Sequence, residues 1–574
     1  MIEAGKLLRV NLSTRGVSVL NLSSLMVRPL LGGKGLQARI LWEETRGVSP
    51  WSPENKLILA PGLLTGLPVP GACLLAWSSK SPATRSYGES FTGGYLGAEL
   101  RNAGYAAVII EGVSATPSML IIDDNRIEIC NATNLWGESS LHTEQRLLAE
   151  LGPDFQVACI GPAGENQVRF ATIVHRYGLH RARTGLGAVM GSKKLKAIAI
   201  RGTRGIRPLD PRALLYKTRE VLSQAFGGGP LPIEYHPGDP VAPVYNFQSL
   251  VPNHGLFSHP GAEEPGVLKA CFSCPFPCTR QIRISADGVP GSIEAPGYQA
   301  TAMLGANCGL SSPAEVARVF YTCISLGLDP VSAGNAVAFA VEASMKGYIS
   351  RRLLGRGMKY MKYGNPETAL YLLGMITWHD GLGEILAEGV ETAARFLGCQ
   401  ELAVQVKGLE WGSWEGGDFP TAVLANMTAD IGAGAEGPWP GTPGPVNPVK
   451  SVIQGQDRES LLCSLGLCPR TWKHLDLGML PGLLYAATGM DLGRPELRLV
   501  AERAWNLTRA YWIREVPGFG RVFDLPPLRL ARLVEHHPEL LDRYYQERGW
   551  DSRGWPTPGK LEELGLGYVR KDLL

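Results

Sequence analysis

Three thiols fall within the eight residues Cys271-Phe-Ser-Cys274-Pro-Phe-Pro-Cys278. Pro275 and Pro277 stiffen this turn, so the three thiolates are set to converge on one center. Thiolate-rich sites suit iron-sulfur clusters or zinc. A four-iron cube takes a fourth ligand, which this spacing leaves unidentified. A structural zinc usually takes a second close Cys or His pair, and the only loose candidate is His474 near Cys468. The spacing favors a cluster, with zinc and ordinary buried thiols as the alternatives.

Glycine-rich stretches form a second group of candidates: Gly32-Gly33-Lys34-Gly35, Gly93-Gly94, Gly161 to Asn166, and Gly185-Leu-Gly187 running on to Lys193-Lys194. None matches a Walker loop or a dinucleotide fingerprint. Several in one region, with Arg183, Lys193 and Lys194 beside the last, suggest backbone amides packed against an extended anionic ligand. Ordinary turns are the blander account of any one of them. His175, Arg176, His180 and Arg181 make a basic run that frames a phosphate or forms a solvated loop.

To bring these groups together the chain must supply a scaffold, and its patterning changes once. Between about residues 5 and 205, strand-like runs recur at Leu7 to Leu12, Leu57 to Ala60, Ala106 to Glu111, Met119 to Asp123, Val157 to Ile160 and Ala197 to Arg201. Apolar residues at three- and four-residue spacing predict helices at Leu36 to Thr45 and Thr143 to Leu151. Beyond Gly205 helical periodicity dominates, over Pro211 to Ala225, Pro313 to Leu326, Ala333 to Lys346, Gly381 to Leu397 and Leu497 to Tyr511. The expected fold class is α+β. Phe226 to Pro243 and Gly437 to Pro448 read as long loops, the second as a lid. Trp411, Trp414 and Trp439 bracket it, as core or as the wall of a substrate channel.

Bulk composition removes several function classes. A chain of 574 residues that is 45% hydrophobic and 19% charged has material for several cores and little reason to be disordered. A formal net charge of +3 supports neither a nucleic-acid nor a membrane-surface footprint. No apolar run approaches the ~18 residues of a membrane span. The start, MIEAGKLLRVNLST, lacks the regions of a signal peptide, so a cytoplasmic location is expected. Eleven cysteines without an export signal argue against a disulfide framework. Cys73, Cys130, Cys159, Cys308, Cys323 and Cys399 read as buried small hydrophobes.

The segments GGKGL, SPENKLILAPGLLTG, KSP, GGYLGAELRNAGY, LWG, IGPAGENQVRFA and ARTGLGAVMGSKKLKAIAIRG follow one another in this order. CFSCPFPC, LGANCG, LGLDPVSAGN, GLGEILAEGV, VKGLE, SLGLC, RYYQERGW and KLEELG come after them. Together they resemble the aldehyde:ferredoxin oxidoreductases over nearly the whole chain. The resemblance implies tungsten (or molybdenum) held by two pyranopterins, a 4Fe-4S cluster close by, and magnesium bridging the pterin phosphates. It implies a β-rich pterin-binding base over residues 1–205. Two mostly helical domains would follow, 206–410 with the three clustered cysteines and 411–574 with Cys468. Cys271, Cys274, Cys278 and Cys468 become the expected cluster ligands. A ferredoxin or iron-sulfur subunit becomes the expected electron partner, an aldehyde or acid the substrate, and a homodimer or hetero-oligomer the assembly.

The family holds the pterins with two related motifs, D-x-x-G-L-D and D-x-x-G-L-C. Here they read Ile324-Ser-Leu-Gly327-Leu328-Asp329 and Cys463-Ser-Leu-Gly466-Leu467-Cys468. Gly327, Leu328, Asp329, Gly466 and Leu467, with Gly93, Gly94, Arg183, Gly185 and Gly187, are the expected cofactor-binding positions. Both leading aspartates are replaced. Losing an acceptor for a buried donor costs about 1–3 kcal/mol, unless Ser325, Ser464 or water takes its place.

The expected acid–base pair is replaced as well. Gln299 stands where the family has a glutamate, and Ala435, followed by Glu436, stands where it has a histidine. Gln299 keeps the shape but cannot take a proton. Gln299 and Glu436 are the positions expected at the reaction center. An arginine that bridges cofactor and cluster falls at Leu74 and an asparagine at Phe91, with Arg85 a candidate substitute for the arginine. Three readings follow. In the first, a tungsten oxidoreductase acts on an aldehyde, with Glu436, Asp430, His379 or water replacing the missing pair. In the second, the chain is a subunit with a rebuilt metal site like the aromatic acyl-thioester reductases, with Cys323 or Cys463 as a soft ligand. In the third, it is a non-catalytic paralogue.

Overall fold

The computed structural model describes residues 5–176, 183–227, 241–252, 266–286, 289–354, 361–413, 418–434, 447–473, 475–534 and 536–573. Residues 437–446 of the expected lid, Trp439 among them, with Trp414, Ala435, Glu436, His180, Arg181 and His474, lie outside them, while Asn447 and Pro448 of that stretch begin the helix Pro448–Leu465.

Two sheets make the N-terminal base. The first has six strands in the order β2-β1-β6-β3-β4-β5: β1 (Lys6–Asn11), β2 (Gly16–Asn21), β3 (Leu57–Pro61), β4 (Leu75–Lys80), β5 (Tyr87–Thr92) and β6 (Tyr105–Glu111). The second has five in the order β10-β9-β11-β7-β8: β7 (Ser118–Asp123), β8 (Arg126–Asn131), β9 (Gln156–Cys159), β10 (Val174–His175) and β11 (Leu195–Arg201). Each contains one parallel pair, β1 with β6 and β7 with β11; the other pairings are antiparallel.

The period of two explains how the sheets stack. Leu8, Val10, Leu57, Leu59, Leu75, Trp77, Val108 and Ile110 of the first sheet share one buried cluster with Leu120, Ile122, Ala158, Ile198 and Ile200 of the second. Burying each such Leu or Ile is worth about 1.5–3 kcal/mol. The alternate residues Ile58, Ala60, Ala107 and Ile109 face the helices Gly33–Glu44 and Arg494–Glu515. Apolar residues on both faces give the continuous hydrophobic runs seen in the sequence.

After residue 205 the described elements are mostly helices. Pro211–Phe226, Pro313–Leu326, Pro330–Met345 and Arg494–Glu515 match the expected segments. The expected helix from Gly381 to Leu397 is instead two, Leu382–Leu386 and Val390–Leu397, broken at Gly389 with φ of 85°. One apolar cluster containing Val404, Val406 and Trp411 runs across residue 410, and Trp411 is core rather than channel wall. Among the described residues no helix is long and apolar enough to cross a membrane.

Candidate functional site

Each conserved-pattern turn is gripped by one sheet of the base. Gly327 and Gly466 end the helices Pro313–Leu326 and Pro448–Leu465 in the left-handed region, with φ of 77° and 80°, where glycine is favored. Gly62, just after β3, lies on the second turn: a Cβ there would stand 1.9 Å from Gly466 N. Gly161, after β9, lies on the first: its Cβ would stand 2.7 Å from Gly327 N. Hydrogen bonds repeat the arrangement. Leu64 N donates to Leu465 O at 2.8 Å and Leu74 N to Gly466 O at 3.0 Å, while Thr172 N donates to Gly327 O at 2.8 Å and Asp329 N to Phe170 O at 3.0 Å.

The side chains of the two turns are not equivalent. Ser464 Oγ donates to Ser460 O at 2.7 Å and accepts from Gly35 N at 3.2 Å. Ser325 Oγ is buried with no partner among the described residues. Ile324 and Leu328 are core. Asp329 caps the helix Pro330–Met345 by accepting from Ser332 N at 2.8 Å, and its Oδ2 lies 3.6 Å from Arg183 Nε. The Arg183 guanidinium also donates to Ala433 O at 2.9 Å and to Glu410 O, tying the base to both loops above it.

The cysteines meet from separate parts of the chain. Cys271, Phe272, Cys468 and Phe91 pack against a small buried core of Cys73, Leu74 and Cys463. Cys274 and Cys278 lie in electrostatic range of Cys468 and Cys271. Burial pushes the Cys274 thiol up to about 11, although hydrogen bonding by the Thr471 hydroxyl at 3.2 Å and by the Phe276 backbone opposes the shift. The segments are joined through the backbone: Cys468 N donates to Gly71 O, Gly71 N to Ser273 O, and Phe272 N to Gly94 O. Among the described residues no three His, Cys, Asp or Glu side chains converge on a point that one metal ion would occupy.

Leu74 and Phe91 therefore do stand beside the thiols, and Arg85 does not take the arginine's place: it is exposed on the turn before β5, in charge range of Arg169. Arg470 instead lies in charge range of Cys278, and Arg176 donates to Ala270 O at 3.4 Å, next to Cys271. Cys463 borders the same space, while Cys323 is enclosed in the helical core. Gln299, on the helix Tyr298–Leu304, faces Gly412, where a Cβ would lie 2.4 Å from its Oε1. His379 ends the helix Pro366–Trp378.

Several glycine-region candidates are used by the fold itself. Gly187 N donates to Ala171 O at 3.1 Å, and a Cβ on Gly185 would stand 2.0 Å from Arg169 O. Lys193 and Lys194 do not face a ligand; their ammoniums reach Pro53 O at 3.2 Å and Ala115 O at 3.1 Å. Burial pushes Lys193 down to about 7. His175 holds Val157 O at 2.7 Å through Nδ1, and burial lowers its pKa to about 4, so it is neutral.

One group was not anticipated. Lys34, inside the glycine-rich entry to its helix, forms buried ion pairs with Asp430 at 2.7 Å and with Glu89. Tyr87 donates to Glu89 at 2.9 Å and Thr508 to Asp430 at 3.1 Å. Glu89 lies two residues before Phe91, on the same face of β5. Burial pushes its carboxyl from 4.5 to about 7 against the pull of Lys34, and Asp430 adds to the rise. Burial also works to deprotonate Lys34, but the two carboxylates outweigh it and hold its pKa above the ordinary value. One turn along, the Gln37 amide is buried with neither end partnered among the described residues.

Residues 7–202 match the family model described as aldehyde ferredoxin oxidoreductase, N-terminal domain, and residues 228–566 match aldehyde ferredoxin oxidoreductase, domains 2 and 3. A tungsten-containing aldehyde ferredoxin oxidoreductase of Pyrococcus furiosus is 33% identical over 98% of both chains. The aliphatic sulfonate oxidoreductase WOR-like subunit of the same organism is 28% identical over 99% of this chain and 98% of its own. The solved active-site complex BamBC of benzoyl coenzyme A reductase contains a chain similar to this one, with a TM-score of 0.87 and 27% identity, covering 100% of this chain and 98% of its own.

Proposed function

The chain belongs to the aldehyde ferredoxin oxidoreductase family, and from that premise we propose a tungsten-pterin, iron-sulfur oxidoreductase whose cluster rests on Cys271, Cys274, Cys278 and Cys468. The observation that carries this reading is the meeting of Cys468 with Cys271, Cys274 and Cys278 at the edge of the sheet base.

The residues present fit the pterin group at the two gripped turns. Gly327 and Gly466 keep the backbone bare there, and Asp329, Arg183 and the unpartnered Ser325 hydroxyl supply polar contacts. Ser325 would take the donor that the missing first aspartate would have held; Ser464, already bonded, would not. Gly93 and Gly94 would complete the proposed floor, with Gly185 and Gly187 shaping the base beneath it through their packing on Arg169 and Thr172, and magnesium would be a further bound ion. Boundaries near residues 205 and 410 belong to the same proposal.

When bound, the tungsten-pterin group would supply two-electron exchange with an aldehyde or its acid, and a cluster on the four cysteines would supply one-electron exchange with ferredoxin or an iron-sulfur subunit. Gln299 positions the substrate by hydrogen bonds and exchanges no proton. Glu436 follows the position of the missing histidine. The assembly is proposed as a homodimer or part of a hetero-oligomer.

A second reading, reduction of an aromatic acyl thioester within a larger complex, is favored by the likeness to the benzoyl coenzyme A reductase chain and by apolar Leu74 and Phe91 beside the thiols. Aldehyde-dependent viologen reduction by the tungsten-loaded protein separates the two. The first reading expects turnover that rises in the Gln299→Glu, Ala435→His double variant. Turnover with an aromatic acyl thioester alone, and no gain in the double variant, would favor the second.

A further inference from the structure

The segment Gly71 to Leu74 is stitched to both ligand-bearing stretches. Gly71 donates to Ser273 O at 2.9 Å and accepts from Cys468 N at 2.9 Å, and Leu74 donates to Gly466 O at 3.0 Å. Cys73 lies inside this stitch, 1% exposed, its own N–H held by Gly71 O at 2.9 Å. Its side chain shares the small core that Cys271 and Cys468 pack against, within hydrogen-bonding contact of the Cys271 thiol. Leu74, Cys463, Phe91 and Phe272 share that cluster.

We propose that Cys73 is a positioning residue for the cluster: its S–H donates to the Cys271 sulfur and sets the reduction potential. This rests on the cluster reading above. A hydrogen bond to a ligating sulfur stabilizes the more negative, reduced cluster and so raises its potential. A thiol is a weak donor, so the expected effect on the potential is modest. Four thiolates complete the cube without Cys73, so it keeps its proton and acts from outside. If Cys73 merely fills space, removing its sulfur leaves a small cavity and no electronic change.

The test is a redox titration of the full-length, anaerobically purified protein followed by EPR, with iron content measured in parallel. Cys73→Ala is expected to keep its iron, shift the potential to more negative values and alter the g-values of the reduced cluster. Cys73→Ser, whose O–H is the stronger donor, is expected to move the potential in the opposite direction. Cys73→Ala with full iron and the wild-type potential overturns the proposal. Should that variant fail to fold, Cys73→Ser decides: a positive shift supports the proposal, and no shift or a negative one overturns it. Wild-type protein without iron would instead remove the cluster reading and this inference with it.

Discussion

Lys34 Nζ lies 2.7 Å from Asp430 Oδ2, joining the helix beside the N-terminal sheet to the C-terminal part of the chain. Its second ion pair, with Glu89, comes from the sheet itself. All three side chains are less than 10% exposed, so the ammonium is what makes two buried carboxylates tolerable. Replacing it, as in Lys34→Met, leaves them uncompensated and is expected to destabilize the fold by about 3–5 kcal/mol. Denaturant unfolding reads this directly; a loss under about 1 kcal/mol would mean that water reaches the group.

Glu89 gives the same group a pH signature. Its folded carboxyl titrates at about 7 and its unfolded one near 4.5. Between those values the folded chain holds the extra proton, so the contribution of Glu89 to stability falls as pH rises from about 4.5 to 7 and is flat outside that window. Glu89→Gln removes the titration. The stability of wild type minus that of the variant should therefore decline across the window, and a difference independent of pH would contradict the assignment.

The two gripped turns make a steric prediction. Gly62→Ala places a methyl against the backbone of Leu465 and Gly466, and Gly161→Ala against Leu326 and Gly327. Backbone yields less readily than a side chain, so each should cost about 3 kcal/mol, at the upper end of overpacking. Gly374, in the helix Pro366–Trp378, meets nothing within 4 Å. Gly374→Ala should instead stabilize by about 0.5–1 kcal/mol. Thermal midpoints of the three variants check the order, which equal shifts would refute.

These contacts mark where sequence reading reached its limit. The Cys271-to-Cys278 spacing was legible because ligand geometry is local, and the helices because apolar residues recur every three or four positions. Cys468 came from family resemblance, since no local rule joins residues so distant. Cys73 read correctly as a buried small residue, but burial carries no partner. Lys193 and Lys194 looked like anion ligands because charge beside glycine suggests one, whereas the start of β11 turns them onto carbonyl oxygens. Glu89 did leave a signal, a carboxylate alternating with Tyr87 and Phe91 in a strand whose alternate face is buried. Its partner Lys34 was hidden in a glycine run.

The central claim, a cluster and tungsten on this scaffold, is tested most directly by metal analysis of the anaerobically purified protein beside its Cys468→Ala variant. Wild-type protein should carry about four irons and about one tungsten per chain. The variant should fold but lose most of its iron, because the cube would be left with three of its four thiolates. Iron unchanged in Cys468→Ala, or a wild-type protein with zinc in place of iron, would contradict it.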